Sequence, residues 1–522
     1  MKVYQGNVLS VNSKNEVFRF LVEDKGKILF VGDELPEEYR CCEIVALGQR
    51  ALIPTFCDTH QHFASFALFN AGLNVMEAKS NIEILEMASH FYQRSHAKTL
   101  IAFGASPYSV EERRLVSREE LDRVCPDKPF FMVKYDGHAC VVNTVLLRQI
   151  EDKCKGLRGY HPDSGEMNQE AFFAVSDHIT ASIPVPELIH DMMLAVNYEA
   201  SMGIGMVHSV SGVGFPKDLD IHMETWFARG LSSGFQLRVF PQKFDAEKAV
   251  KFKLGRVGGC FQCALDGCFG STDAALLSPY ANDDSNSGVL YYTDEQVTKF
   301  CKAANRAGMQ IELHAIGDRA FAQAAAALKA ALDDYPRDDH RHGIIHACLT
   351  TEENRKICAD YHIQLPMQVS FDNWRQEPAE YTERILGRER NTALNPVRTM
   401  KDLGCTIGFG SDGPCTDPNP IVWLYKAVNH SNPNERVSIQ DALRMSTYNG
   451  YWISFDEQER GSLEAGKVAD MVILSHNPYK LAPEELMKLR VEQTILRGKE
   501  FLPETGSFVR PILKGIFSSN KA

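Results

Sequence analysis

The sequence predicts an α/β fold in which eight parallel strands alternate with helices, between two β-rich ends. Strand-like runs alternate with helical stretches through the middle of the chain, which is typical of βα units. Both ends instead carry short strands separated by turn residues. One stretch after the first central strand is too long for a simple connection. A chain of 522 residues has room for two or three domains, or for one large barrel with additions.

The two ends are predicted to form one composite β-domain from residues 1–50 and 456–522. Turn residues separate the N-terminal strands, and a glycine-bounded turn region at 461–466 precedes the C-terminal ones. The strands that support this domain are, in chain order, 17–22, 27–32, 43–47, 468–474 and 491–498.

The middle, residues 51–455, is predicted to be a (β/α)₈ barrel, since eight strands are the number that closes one. The predicted strands are 51–57, 204–208, 235–240, 260–265, 309–314, 343–346, 363–368 and 405–410. The clearest helix, 319–332, is rich in alanine, the strongest helix former. Residues 63–200 form an inserted segment with its own structure, including helices near 80–96 and 118–124 and an apolar run at 129–135.

Composition excludes several classes of function. The net charge of −12 argues against non-specific nucleic-acid binding. No run of about 18 apolar residues predicts a membrane span, and the first residues lack the apolar core of a signal peptide. We therefore expect a cytoplasmic protein. The 14 cysteines follow no regular spacing and are expected to be reduced and mostly buried. The pair Cys260 and Cys263 faces opposite sides of a predicted strand, so joint chelation is not expected.

Four histidines and one aspartate stand at the ends of predicted strands. His60 and His62 follow the first strand one residue apart, so in extended backbone both imidazoles face one side. His314 ends the fifth strand, His346 ends the sixth, and Asp412 follows the eighth. The carboxyl ends of all strands of a (β/α)₈ barrel meet at one mouth. We therefore expect these five side chains to converge.

Such a set of nitrogen and oxygen ligands suits a borderline cation such as Zn²⁺. A cation with an open position makes bound water lose a proton near neutral pH, and Asp412 is placed to take that proton and pass it to a leaving group. Singly, each residue also has a structural explanation, such as a hydrogen-bonded strand-end histidine or a turn-forming aspartate. Five of them at four strand ends predict a metal site.

The order of these motifs resembles the amidohydrolase superfamily, and more narrowly its amidohydrolase-3 branch, which includes N-substituted formamide deformylase. The motifs are Asp58-x-His60-x-His62, His314-Ala-Ile-Gly-Asp318, His346 and Ser411-Asp412-Gly-Pro414, with Asp136-Gly-His138, Asp266-Gly-Cys-Phe-Gly, Leu386-Gly-Arg-Glu-Arg390 and the tail segment 461–470 in support. The resemblance covers essentially the whole chain. It implies a metal-dependent hydrolase with a distorted TIM barrel and a small β-sandwich from both termini, and it suggests a homodimer.

One departure from the branch bears on the number of cations. Many members carry a carboxylated lysine on the fourth strand that bridges two metals, and the corresponding position here is Gln262. A neutral amide is a poor bridge, so the resemblance favours one cation held by His60, His62, His314 and Asp412. His346 then either ligates weakly or hydrogen-bonds the attacking water. The alternatives are that the alignment slips at this strand, or that Asp266 replaces the lysine.

Four further residues are candidates for binding substrate. Asp136 and His138 lie in the inserted segment and line the pocket, unless they form a plain turn. Trp374, after the seventh strand, walls the pocket or belongs to the core. Asp318 orients His314 or caps the helix that begins beside it.

The predicted reaction is hydrolysis of a C–N bond in a small-molecule amide, N-acyl or N-formyl compound. Deamination of a ring, lactone hydrolysis and non-hydrolytic chemistry remain alternatives, because the same fold hosts them. A catalytically dead metal- or ligand-binding relative is a further alternative, supported by the missing lysine. The presence of Asp412, which a pure binder does not need, speaks against it.

Overall fold

A computed structural model describes residues 1–212, 215, 218–503 and 509–522. Its strands, labelled in chain order, are β1 (Lys2–Leu9), β2 (Val17–Asp24), β3 (Lys27–Gly32), β4 (Glu43–Pro54), β5 (Phe56–Gln61), β6 (Leu73–Asn74), β7 (Leu100–Ala105), β8 (Phe130–Lys134), β9 (Ala139–Val142), β10 (Tyr160–His161), β11 (Glu166–Asn168), β12 (Ile204–Ser211), β13 (Gln236–Pro241), β14 (Arg256–Ala264), β15 (Gln310–Ala315), β16 (Gly343–His346), β17 (Leu365–Met367), β18 (Ile407–Phe409), β19 (Met471–Leu474), β20 (Val491–Leu496) and β21 (Lys499–Glu500).

The α-helices of the described residues are α1 (Phe63–Asn70), α2 (Asn81–Arg94), α3 (Arg118–Val124), α4 (Thr144–Cys154), α5 (Gln169–Ser182), α6 (Val185–Ser201), α7 (Leu219–Gly230), α8 (Ala246–Val250), α9 (Asp294–Arg306), α10 (Asp318–Asp334), α11 (Glu352–Asp360), α12 (Ala379–Leu386), α13 (Arg388–Thr392), α14 (Val397–Asp402), α15 (Pro420–Val428), α16 (Ile439–Ser446), α17 (Tyr448–Ile453) and α18 (Val509–Ile516). No helix among them is by itself long and apolar enough to cross a membrane, although α5 and α6, bent by 100° at their junction, pass as a pair on length and composition.

Strands from both ends of the chain share one sheet of seven strands in the order β21-β20-β19-β4-β1-β2-β3. The long strand β4 lies inside this sheet, parallel to β1 and antiparallel to β19. Alternate residues of β1, β4 and β19 bury apolar side chains in one cluster, which includes Val8, Leu52 and Ile473. The pairing of β4 with β19 therefore ties the beginning of the chain to its end.

The first central strand begins later than the sequence indicates. The run 51–57 was predicted as one strand of the central sheet, but residues 51–54 belong to β4 and pair with β19. The backbone N–H of Thr55 still donates to Asp470 of the terminal region, whereas that of Phe56 donates to Gly203 beside β12. Residues 51–57 are all buried, so their hydrophobicity gives no sign of the change of partner.

The central parallel strands follow one another in the order β5, β12, β13, β14, β15, β16, β17, β18. Backbone pairing joins β5 to β12, β12 to β13, β14 to β15, β15 to β16 and β17 to β18. Strand β13 packs beside β14, and residue 343 of β16 bridges to residue 364 ahead of β17. The series returns to its start, because the N–H of Asp412 donates to His60 and that of His62 donates to Gly413. The predicted strands from 204–208 to 405–410 each overlap one of these strands.

The inserted segment has a sheet of its own, with strand order β10-β11-β9-β8-β7-β6. The helices predicted near 80–96 and 118–124 are α2 and α3, and the apolar run at 129–135 contains β8. Helix α1 packs against α6 and joins the segment to the central strands. At the far end of the chain, α18 packs on α7 rather than on the terminal sheet, and a Cβ at Gly515 would lie 1.7 Å from the carbonyl oxygen of Trp226.

Candidate metal centre

A cavity of about 2040 Å³ opens at the carboxyl ends of the central strands. Its floor carries four of the five predicted metal ligands, whereas His60 is fully buried and does not line the cavity. The floor residues are His62 after β5, Cys260 of β14, His314 of β15, His346 of β16 and Asp412 after β18. The inserted segment and the loop after β17 supply much of its wall. The structure thus places strand ends that are distant in sequence around one space, as predicted.

Asp412 lies against both histidines of the first strand. Its Oδ1 atom is 3.1 Å from Nε2 of His60 and 3.4 Å from Nε2 of His62. Burial tends to raise the pKa of Asp412, but contact with the two imidazoles outweighs burial and holds this pKa well below its usual range. Asp412 is therefore a carboxylate at neutral pH, which suits both metal binding and proton acceptance.

The other two histidines lie side by side, with His314 and His346 ring centroids 4.5 Å apart. The Nε2 atom of His314 is 3.3 Å from the carbonyl oxygen of Gly267, and Nδ1 of His346 is 2.6 Å from Oε1 of Gln368. Burial lowers the pKa of His346 well below its ordinary value, and His314 lowers it further. His346 is thus a neutral imidazole, the form that binds metals.

Cys260 lies between the two histidine pairs, a position that the sequence reasoning missed. Its Sγ atom is 3.3 Å from Nε2 of His60, 3.3 Å from Nδ1 of His314 and 3.5 Å from Nε2 of His346. This sulfur belongs to two groups of donor atoms, and within each group all donor atoms lie within 4.8 Å of one another. One group consists of His60, His62, Cys260 and Asp412, and the other consists of Cys260, His314 and His346.

The structure corrects the assignment of Gln262 to the strand-four ligand position. Gln262 is exposed on the cavity wall, where its amide donates to the carbonyl of Gly212 at 3.5 Å. Gly259 pairs with Leu313, but the next pair is Ala264 with His314, so residues 260–263 bulge out of the strand. Counting residues back from Asp266 fails across this bulge.

Asp266 does not replace the lysine either. Its carboxylate accepts the backbone N–H groups of Ala275, Ile316 and Gly317 at 2.8–3.0 Å. One of its oxygens also lies 3.5 Å from Nε2 of His314. Asp266 therefore fixes the loops after β14 and β15 and supports His314.

A buried carboxylate under the first two histidines holds the strand ends in register. Asp58 accepts the Ser411 hydroxyl at 2.6 Å, the Ser411 N–H at 2.9 Å and the His60 N–H at 3.2 Å. Burial raises the pKa of Asp58 to about 7, although its hydrogen bonds with Ser411 and His60 oppose the rise. Asp58 thereby connects the end of β5 to the turn that presents Asp412.

Asp136, His138 and Trp374 line the cavity. The Asp136 carboxylate accepts hydrogen bonds from the Lys134 ammonium group at 2.7 Å and from the backbone N–H of His138 at 3.2 Å. The ring centroid of Trp374 lies 5.1 Å from that of Tyr135. The inserted segment and the loop after β17 therefore meet at this wall.

The structure corrects the predicted place of Asp318, which lies outside the cavity lining. The carboxylate of Asp318 accepts the N–H of Leu277 at 2.9 Å, and burial raises its pKa. Gly317, rather than Asp318, is the N-cap of α10, and Asp266 is the carboxylate that contacts His314. The last residue of the motif His314-Ala-Ile-Gly-Asp318 therefore holds the loop that contains Leu277.

The donor set fits a divalent cation such as zinc. Imidazole nitrogen, thiolate sulfur and carboxylate oxygen are all zinc ligands. Among the described residues, Oδ1 of Asp412 is buried without a hydrogen bond of good geometry, despite its short distances to two imidazoles. His346 and Asp412 also have left-handed backbone, with φ of 70° and 55°. Such conformations are uncommon outside glycine and cluster at functional sites.

Comparison with known proteins identifies the family of the chain. A profile of the amidohydrolase family matches residues 43–501. The putative amidohydrolase YtcJ of Bacillus subtilis is 24% identical over 90% of this chain and 92% of its own length. The N-substituted formamide deformylase of Arthrobacter pascens is 23% identical over 97% of this chain and 99% of its own. A solved structure of an uncharacterised metal-dependent hydrolase from Pyrococcus furiosus superposes with a TM-score of 0.73 at 22% identity, covering 92% of this chain and all of that one. The chain belongs to the amidohydrolase family, in its amidohydrolase-3 branch.

Proposed function

We propose that the protein is a metal-dependent hydrolase that cleaves the C–N bond of a small-molecule amide, an N-acyl or N-formyl compound. The observation that carries this proposal is the contact of Asp412 with His60 and His62 on the floor of a large cavity. A charged proton acceptor is thus a member of one of the two donor groups. Similarity to a formamide deformylase over nearly the whole chain supports the same bond class.

A divalent cation, proposed to be zinc, is the cofactor. The residues that would hold it come from two groups that share Cys260: His60, His62 and Asp412 complete one, and His314 and His346 complete the other. When bound, such a cation supplies a Lewis acid that polarises a carbonyl group and lowers the pKa of water.

Asp412 is proposed to move the proton in this reaction. As an ionised carboxylate it has a lone pair available for the proton of the attacking water. It then donates this proton to the departing nitrogen, which leaves as a neutral amine. Asp58 and Ser411 hold the turn that carries Asp412, so the carboxylate needs no rearrangement between the two transfers.

The cavity wall is proposed to select the substrate. Aromatic side chains of the inserted segment, such as Phe131 and Phe172, line it together with Trp374. Asp136 and His138 add polar groups to the same wall. A pocket of this kind takes a ligand with an apolar body and a few fixed polar atoms. We expect a small amide with a bulky apolar substituent.

We infer that the eight parallel strands close into a distorted (β/α)₈ barrel with a β-domain built from both termini. The order of the central strands and the hydrogen bonds between Asp412 and His60 support the closure. In such a barrel the carboxyl ends of the strands carry the active site. The positions of the five predicted ligands agree with that rule.

A hydrolysis screen on zinc-loaded protein tests the proposal. The panel contains formamides, N-acyl amino acids, hydantoins and lactones, with released amine, carboxylate or opened ring as the readout. We expect turnover of an open-chain amide by the wild type and none by an Asp412→Asn control. Turnover of lactones alone would exclude C–N cleavage as the main activity. Silence across the panel with metal-loaded protein would favour a binding protein.

A further inference from the structure

The sulfur of Cys260 is the one atom common to both donor groups of the described residues. One group adds His60, His62 and Asp412 to it, and the other adds His314 and His346. The side chain is buried, with 7% of its surface exposed. The backbone bulge at 260–263 carries this side chain to the centre of the cluster.

The close approach of β14 to β15 explains why the chain bulges at this point. Gly258 and Gly259 have φ of 140° and 123°, a region that other residues rarely adopt. A Cβ at Gly258 would lie 1.9 Å from the carbonyl oxygen of Glu312. The two glycines therefore let the strand pass close to its neighbour just before the backbone leaves the ladder at Cys260.

Hydrogen bonding alone does not account for the atoms around this sulfur. The Nδ1 atom of His346 faces the acceptor oxygen of Gln368, so it carries the ring hydrogen and Nε2 presents a lone pair to the sulfur. The Nε2 atom of His314 faces the carbonyl of Gly267, so Nδ1 presents a lone pair as well. A thiol has a single hydrogen and satisfies at most one of them.

We infer that Cys260, as a thiolate, is shared between two divalent cations. One cation is held by His60, His62 and Asp412, and the other by His314 and His346. The S–H bond breaks when the cations bind, its proton passes to solvent, and two metal–sulfur bonds form without any change of oxidation state. This inference rests on the metal centre of the proposed function and names its bridging ligand.

The charge balance favours this arrangement over the single cation that the sequence indicates. Two cations without an anion between them repel strongly, which was the reason to expect one ion beside the neutral Gln262. Cys260 supplies a negative charge at the shared position. Thiolate sulfur is also a strong ligand for zinc. The sequence argued against a second ion because Gln262 was assigned to the bridging position. With Cys260 at that position, this argument no longer applies.

Cobalt(II) substitution tests the inference, because cobalt bound to thiolate has a charge-transfer absorption in the near ultraviolet. The wild type should bind two cobalt ions per chain, with this band growing during the titration. Cys260→Ala should lose the band and the second ion, and Cys260→Ser serves if the alanine variant fails to fold. Cys263→Ser is the matched control, since Cys263 is buried in the same bulge but belongs to neither donor group. This control should keep both ions and the band.

Several outcomes would overturn the inference. The wild type would contradict it by binding two cobalt ions without the charge-transfer band, or by binding only one cobalt ion. A Cys260→Ala protein that keeps two cobalt ions and the band would also contradict it. A protein that binds no cobalt would overturn both the inference and the metal-dependent reaction. The two proposals fail separately, because ion count and absorption require no turnover. A protein with two ions and the band that hydrolyses nothing would refute only the proposed function.

Discussion

The Nδ1 atom of His346 lies 2.6 Å from Oε1 of Gln368, which follows the neighbouring strand β17. This hydrogen bond fixes the imidazole tautomer and directs Nε2 at the metal centre. Partners of this kind typically change metal affinity by about 10–100-fold when they are removed. The bond also explains how His346 keeps its orientation at a residue with left-handed backbone.

Gln368→Leu should therefore weaken zinc binding by about 10–100-fold, because the imidazole loses its acceptor. Competition with a chromogenic chelator measures the affinity. Gln368→Glu keeps an acceptor oxygen at the same position and should bind zinc close to the wild-type level. Equal affinity of the leucine variant and the wild type would contradict the role of this bond.

Asp412→Asn should retain most of the metal while kcat falls by about 10²–10⁴-fold, the usual range for loss of an acid–base group. The amide keeps a ligand oxygen but cannot carry the proton. Metal content by mass spectrometry and kcat on the best substrate of the screen give the two readouts. Asp402→Asn, a change on the exposed end of α14, is the control. An Asp412→Asn enzyme with near-normal kcat would remove this residue from the reaction.

Glu224 of α7 gives a prediction about stability against pH. It is fully buried and accepts the Ser209 hydroxyl at 2.5 Å, and burial raises its pKa from 4.5 to about 8. Between these two pH values the unfolded chain has lost the proton that the folded chain keeps. Stability should therefore fall as pH rises from 4.5 to 8, by up to about 1.4 kcal/mol per pH unit, and level off above that range.

Glu224→Gln should remove this contribution to the decline, because the amide does not titrate, while other buried acids such as Asp58 keep theirs. Urea unfolding of both proteins at pH 6, 7 and 8 compares their free energies of unfolding. Glu151→Gln, on the exposed surface of α4, should follow the wild type. If the free energies of unfolding of the wild type and Glu224→Gln changed with pH in the same way, Glu224 would have the same pKa in the folded and unfolded chains.

Arg238 and Asp456 form a buried ion pair with two contacts of 2.8 Å, and each side chain is 2% exposed. Arg238→Met should lower the free energy of unfolding by about 3–5 kcal/mol, since it leaves a buried carboxylate without its partner. Adding Asp456→Leu to this variant should recover part of the loss. A single variant within about 1 kcal/mol of the wild type would mean that Lys521, 3.4 Å from Asp456, compensates the charge.

The convergence of the histidines and Asp412 could be predicted because it depends only on strand order. Each residue ends a parallel strand, and parallel strands present their carboxyl ends at one side. Asp136 and His138 were indicated instead by the resemblance of their motif to the family, and Trp374 by its place after the seventh strand. No side-chain detail was needed for these assignments.

Cys260 could not be found in the same way, because its position depends on a bulge. In a regular strand, side chains alternate between the two faces, so a residue's position gives its face. Residues 260–263 are unpaired, so this alternation does not hold across them. The pair Gly258-Gly259 directly before Cys260 is the signal that was available. Asp318 was misplaced for a different reason: a carboxylate next to a helix start suits either a cap or a loop contact, and only packing decides between them.

The pairing of β4 with β19 has a consequence for how the chain is made. Strand β1 covers one edge of β4 early in synthesis, but β19 lies near the other end of the chain. Until the ribosome has released β19, the free edge of β4 exposes unpaired backbone groups, immediately ahead of the segment that carries His60 and His62. Such edges recruit foreign strands. Completion of this sheet is therefore a late event, because β4 gains its second neighbour only after residues 471–474 have been synthesised.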